Sequence, residues 1–182
     1  MAKSFKILFV SSEVYPFSKE SGIADVSNSL PIALKSLGHD VRVISPKYGS
    51  ISERKNKIHN ISRLREVPIK VGDRTEFVNI KSSSLNSPKY KVQVYFTTNY
   101  HYFEERLGIY HDPITWQEYL DNSERFIFFS KSVLETCIQL KWIPDIVHCN
   151  DWQTALLPAF IRSGYSNLFS KSKIVFTIHN FY

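Results

Sequence analysis

The chain has 182 residues, 43% of them hydrophobic and 22% charged, enough for one well-cored domain and too few to require two. Its apolar runs are too short to span a bilayer or to form a signal-peptide core. The net charge of +6 is spread along residues 47–70 without the aromatic interleaving or motif of a nucleic-acid reader, so neither a membrane nor a nucleic acid is expected as a partner. Cys137 and Cys149 show neither metal-ligand nor disulfide-framework spacing and lie in or beside apolar stretches, which suits a reducing cytoplasm.

In chain order, residues 5–11 form a buried strand and a loop carrying Pro16 and Gly22 follows. A helix over about residues 24–37 is closed by Gly38. Residues 40–45 form a second strand ended by Pro46, and a helix joining two short apolar strands implies a parallel crossover. Residues 67–71 and 75–80 flank Gly72-Asp73 as a hairpin, and a polar stretch at 82–88 separates it from an alternating strand at 90–97. Helical spacing returns over 121–140, with Phe126, Phe129, Val133, Cys137 and Leu140 on one face. A short buried strand at 145–148, a helix at 152–162 that Asn150 or Asp151 could cap, and a strand at 173–178 complete the order. Pro31 and Pro158 fall inside these helices, where kinks or late starts are expected. The resulting fold class is α/β: a doubly wound, mainly parallel sheet with a β-hairpin insertion.

Three apolar runs end in polar clusters: Ser11-Ser12-Glu13, His148-Cys149-Asn150-Asp151 and His179-Asn180. In open α/β sheets ligands lie beyond the carboxyl ends of the strands, so these clusters should converge on one site. The loop over residues 11–25 leads into a helix N-terminus, where unpaired amides, the dipole, Gly22 and the charge of Lys19 would suit an anion. It carries neither GxGxxG nor a P-loop, so spacing alone favours an ordinary strand-to-helix loop over an anion site. Asp25 is also a plain first-turn acid, and His179 also a buried imidazole satisfied by backbone. His148 and Cys149 lack the third, orienting group of a nucleophilic pair. The aromatic stretch holding Tyr100, His101, Tyr102, Phe103, Tyr110, His111 and Trp116 either stacks on sugar rings or fills core.

The loop Lys19-Glu20-Ser21-Gly22-Ile23-Ala24-Asp25 resembles the Lys-Thr-Gly-Gly-Leu-Ala-Asp signature of the bacterial glycogen and plant starch synthases. Ser12-Glu13-Val14, Pro16-Phe17, Ser29-Leu30-Pro31 and Gly38-His39-Asp40-Val41 extend the match. Leu107-Gly108-Ile109-Tyr110, Asp121-Asn122 and Arg125-Phe126 are similar to the family's middle segment. His148-Cys149-Asn150-Asp151-Trp152-Gln153-Thr154 and Thr177-Ile178-His179-Asn180 are similar to two further motifs, in family order.

The resemblance implies a retaining glucosyltransferase of GT-B architecture that moves glucose from ADP-glucose to the non-reducing end of an α-1,4-glucan, with no cofactor and no metal. Residues 1–182 would be its Rossmann-like, acceptor-side N-terminal domain. A C-terminal domain of the same full-length protein would hold most of the nucleotide, leaving this chain inactive alone. By the same resemblance His179 and Asp151 are the catalytic candidates, Lys19, Gly22, Asp25 and Asn180 bind the donor, and Tyr102 and Tyr110 meet the acceptor. Glu20-Ser21 departs from the signature and sets a carboxylate beside the expected diphosphate. Either Glu20 turns to solvent or the loop handles its donor differently, and a non-catalytic glucan-binding module or another nucleotide sugar are the competing expectations.

Overall fold

The computed structural model describes residues 3–180, among which eight strands form one mixed sheet. Strand β1 (Lys6–Val10) leads to helix α1 (Ile23–Ser36) and strand β2 (Asp40–Pro46). Helix α1 ends where the glycine predicts: Gly38, at φ +91, donates to the Lys35 carbonyl while His39 N–H reaches Leu34 O, a Schellman closure. Pro31 lies inside this helix.

Strands β3 (His59–Asn60), β4 (Val67–Val71), β5 (Arg74–Asn86) and β6 (Lys91–Thr98) make the antiparallel insertion. Gly72, at φ +58, turns the β4–β5 hairpin as expected. β5, however, runs on through Ser82, Ser83 and Ser84, where local preference predicts a polar connection. Pairing along β6 from Asn79↔Thr98 to Asn86↔Lys91 holds these weak strand formers extended, so the partner strand overrides that preference.

A π-helical turn (Tyr100–Glu104) precedes helix α2 (Asn122–Gln139). Strand β7 (Ile146–Asn150) reaches two residues further than expected because Cys149 and Asn150 pair with Phe176 and Thr177 of β8 (Lys173–Thr177). The helix expected at 152–162 is a 3-10 turn (Trp152–Thr154) followed by α3 (Leu157–Ser163). Pro158 therefore sits in the first turn of α3, where its missing N–H costs nothing, and no kink is needed.

The strand order is β3-β5-β6-β2-β1-β7-β8, with β6, β2, β1, β7 and β8 mutually parallel. The chain winds outward from β1 through β2 to β6, then returns to β7 and β8 on the other side. The order reverses between β1 and β7, and the crevice beyond their carboxyl ends is where such sheets take ligands. Phe9, Val10, Val43, Ile44, Val94, Phe96, Val147 and Cys149 make the fully buried centre. Each large apolar side chain there stabilises the fold by roughly 1.5–3 kcal/mol. β8 pairs with no described strand besides β7, and its Val175 and Phe176 are 44% and 41% exposed. Among the described residues no helix is long and apolar enough to cross a membrane.

Candidate active site

Asn150, the last residue of β7, ties the switch point together. Its side-chain amide donates to the Val10 carbonyl of β1 at 3.0 Å, and its Oδ1 lies 3.0 Å from His179 Nε2. Asp151 follows with φ +56 and ψ −178, a backbone region that side-chain-bearing residues adopt at a cost of order 1–3 kcal/mol. Two hydrogen bonds hold it there: its N–H donates to Thr177 O at 2.9 Å, and its Oδ1 accepts from the His179 amide at 2.6 Å. The carboxylate is thus spent on the next strand's tip rather than on capping the 3-10 turn, which has no side-chain cap. Functional groups after β7 and β8 are locked to each other.

Across the crevice, the β1–α1 loop is organised around Glu13, a fully buried acid. Its Oε2 accepts from the amides of Glu20 (2.7 Å) and Ser21 (2.8 Å), and its Oε1 from Ser21 Oγ (3.1 Å) and Tyr110 Oη (2.8 Å). Burial first, then the neighbouring Tyr48 and Glu13, push the Tyr110 phenol well above its ordinary value, so it stays a donor. The anion expected at this loop is therefore, at these two amides, the protein's own. Gly22 has a helical φ of −67, and a Cβ added to it would meet nothing within 4 Å, so its special freedom is unused.

Glu20, Ser21, Tyr110, Asp151, Trp152 and Asn180, with Gln153 beneath, line a cavity of about 340 Å³ between the two loop systems. Trp152 is 54% exposed at its lip, its ring 5.1 Å from Phe126 and 6.1 Å from Tyr110. The structure thus brings Tyr110, Asp151 and Asn180 to one hollow, with His179 bonded directly to Asp151. It does not bring Lys19, Gly22 or Asp25 to that wall. Lys19 and Asp25 pair with each other at 2.6 Å, both about half exposed. Tyr102 corrects the acceptor-binding expectation: it is 1% exposed, its ring lies 4.9 Å from that of Phe128, and its hydroxyl donates to Glu124. No face of that ring is left for a sugar. The Cys149 thiol, pushed up to about 12 by burial, and the His148 ring, lowered by burial and by His179, are core groups rather than a nucleophilic pair.

Glu20 does not simply turn to solvent. Its Oε1 lies 3.2 Å from His111 Nδ1, and the His111 ring stacks on Trp116 at 4.7 Å. Burial first, with Glu13 adding to it, raises the Glu20 carboxyl against the lowering influence of His111. A carboxyl raised on folding holds its proton more tightly in the native state, so its contribution is full below the unfolded value near 4.3 and is lost as pH rises through the native one. Glu20→Gln is therefore expected to melt higher than the parent at pH 7 and equally at about pH 4. Thermal unfolding of both across that range checks this; a parent that is the more stable at pH 7 would contradict it.

Glu13 and Asn150 lie in the strand-end clusters that the sequence places at the site, but the sequence assigns Glu13 no role there and Asn150 only a helix cap; their hydrogen bonds supply the organising roles. Among the described residues no group of three or more His, Cys, Asp or Glu side chains could hold a metal ion.

Residues 6–182 match the family described as the starch synthase catalytic domain. Glycogen synthases of Chlorobium limicola and Chlorobaculum tepidum are 41% and 40% identical over 182 residues, covering 99% of this chain and 37% of each relative. The chain thus spans a little over a third of the curated relatives it matches. The catalytic domain of starch synthase IV from Arabidopsis thaliana, bound to ADP and acarbose, superposes with a TM-score of 0.81 at 24% identity, over 98% of this chain and 34% of that one. This likeness extends to the fold, an α/β arrangement shared with about a third of that GT-B enzyme. With a match over residues 6–182 and the switch-point cluster in place, the chain belongs to the starch synthase catalytic domain family.

Proposed function

We propose that the protein is the acceptor-side N-terminal half of a glycogen or starch synthase, which transfers glucose from ADP-glucose to the non-reducing end of an α-1,4-glucan with retention of configuration and no cofactor. The observation that carries this reading is the lock between Asn150, Asp151 and His179 beside the cavity at the β1/β7 switch point, in a chain of this family. Glucosyl transfer needs a sugar held in one orientation and its developing charge met by fixed polar groups. His179 and Asp151 sit on strand tips tied by hydrogen bonds, which suits that task better than mobile side chains would. Tyr110 and the exposed ring of Trp152 offer the aromatic surface on which an acceptor sugar stacks.

The donor's phosphates fall to Lys19. Its exposed pair with Asp25 contributes no more than about 1 kcal/mol, so a diphosphate could draw the ammonium away. A second domain of the longer protein would supply the remaining cations, and the protein would work in the cytoplasm. One observation favours the competing non-catalytic glucan-binding module: Glu20 and Asp151 make the cavity acidic, and Lys19 points elsewhere.

Asp151→Gly in the longer protein separates the two. Glycine relaxes the φ +56 backbone while removing the carboxylate, so the lost hydrogen bond and the relieved strain offset, and the melting temperature should move by less than about 3 °C. Transfer of radiolabelled glucose from ADP-glucose to glycogen should fall by about 100-fold or more. Transfer unchanged by the substitution, or none in the parent with any nucleotide-glucose, would overturn the enzyme reading; preference for UDP-glucose would change only the donor.

A further inference from the structure

A second hollow exceeds the one at the switch point in volume. A groove of about 670 Å³ lies between the β1–α1 loop, the segment following β2 and the serine-bearing half of β5. Lys55, Lys57, His59 and Lys91 line it and no Asp or Glu does. None of the three lysines has an acidic partner within ion-pair distance among the described residues. The basic surplus that the sequence spreads over residues 47–70 is thus partly gathered by the fold, with Lys91 arriving from β6.

The rest of the wall is hydroxyl- and amide-rich rather than apolar. Ser82, Ser83 and Ser84 line it beside Asn28, Asn56 and Gln93, and the exposed ring of Tyr15 borders it. The wall is also held in place. Ser83 Oγ donates to Asn56 O at 2.6 Å, Gln93 Nε2 donates to Ser83 O at 2.9 Å, and Asn56 Nδ2 donates to Ser52 O at 2.8 Å. Lys57 is kept at φ +50, between residues fixed by Asn56 to Ser52 and Ile58 to Glu53 backbone bonds. Unpaired ammonium groups call for an anion, the hydroxyl and amide rows for a polyhydroxy ligand, and the volume suits a small molecule.

We propose that this groove is a second ligand site, distinct from the cavity at the switch point, that binds a phosphate monoester carried on a carbohydrate. The phosphate meets Lys55, Lys57 and Lys91, and the sugar hydroxyls meet the serine and amide wall. Tyr15, Pro16 and Phe17 belong to the same loop as Glu20 and Ser21, so a ligand in the groove touches the segment that also lines the other cavity. The phosphate can come from a free sugar phosphate or from an ester on a glucan chain.

Isothermal titration of the whole chain with glucose 6-phosphate and with a phosphorylated maltooligosaccharide distinguishes these sources. Saturable binding of either is expected, falling with added salt and weakened about tenfold or more by the exposed double substitution Lys57→Gln/Lys91→Gln. The double variant should keep the parent melting temperature, which sets aside misfolding. Absence of binding by both probes, equal binding of unphosphorylated maltotriose, equal binding of inorganic phosphate, or binding indifferent to the two lysines would each overturn the proposal. None of these outcomes depends on glucosyl transfer, so the site stands or falls apart from the proposed activity.

Discussion

Arg125→Ala is expected to lower the unfolding free energy by about 3–5 kcal/mol, a drop in melting temperature on the order of 10 °C for a chain of this size. The guanidinium is fully buried on α2. Its Nε donates to Tyr102 O at 2.7 Å, and its Nη1 to Ile109 O at 2.9 Å and to Asn122 Oδ1 at 2.7 Å. The charge lies 4.9 Å from the Tyr119 ring, 5.4 Å from that of Phe103 and 5.6 Å from that of Phe126, with no carboxylate at ion-pair distance among the described residues. Burial pushes its pKa down, and its Nη2 finds no partner among the described residues, so the group is costly to bury. What makes it worth keeping is the pair of carbonyls it satisfies, which fasten residues 102–109 to α2. Alanine strands both and opens a void. Arg125→Lys, a single compact charge, cannot serve both carbonyls and should recover less than half of the loss. Circular-dichroism melts of the three proteins test this, and a loss below about 1 kcal/mol for alanine would refute the fastening role.

Glu13→Gln is expected to cost about 2–4 kcal/mol and to loosen the loop over residues 18–22. The carboxylate accepts two amides, a serine hydroxyl and a tyrosine hydroxyl, and all four donors point inward at one acidic group. Glutamine replaces one acceptor by an NH2 that faces donors, so at least one amide or hydroxyl loses its partner. Hydrogen exchange should rise at the Glu20 and Ser21 amides while the amides of β1 and β2 stay protected. Unchanged exchange at those two positions would show that the loop holds its shape without Glu13.

Much of the fold is legible in the chain because β1, after Lys6, is an unbroken apolar run, as a strand buried on both faces must be, and β2, β6 and β7 carry short apolar stretches between turn signals. Gly38 and Gly72 mark a helix end and a hairpin through the one property only glycine offers cheaply. The serine half of β5 is not legible, since three consecutive serines have weak strand preference and only the facing strand extends them. The helix expected at 152–162 starts late, at Leu157, one of the two outcomes expected of Pro158, which fits a first turn and not an interior.

At the site, the positions of Asp151, His179 and Asn180 are legible because they follow strand ends, whereas Tyr110 enters only through the resemblance, its aromatic stretch suiting core equally well. Glu13 is legible as a member of a strand-end cluster, but its role is not, because nothing local shows that its carboxylate folds back onto the amides of its own loop. The signal is present all the same: a carboxylate next to a loop full of unpaired amides has an obvious use. Asn150 reads as a cap, whereas its two-ended amide bridges strands that sequence cannot know to be neighbours. Tyr102 illustrates the opposite error, an aromatic assigned to ligand that the core has already claimed.

The outward rim of β8 has one more implication. With Val175 and Phe176 turned to water and one row of peptide groups unmatched by any described strand, it is a ready template on which a second strand can lay itself. A rim of this kind recruits partners more readily as concentration rises, and a lysine set into it is what would keep the molecules apart.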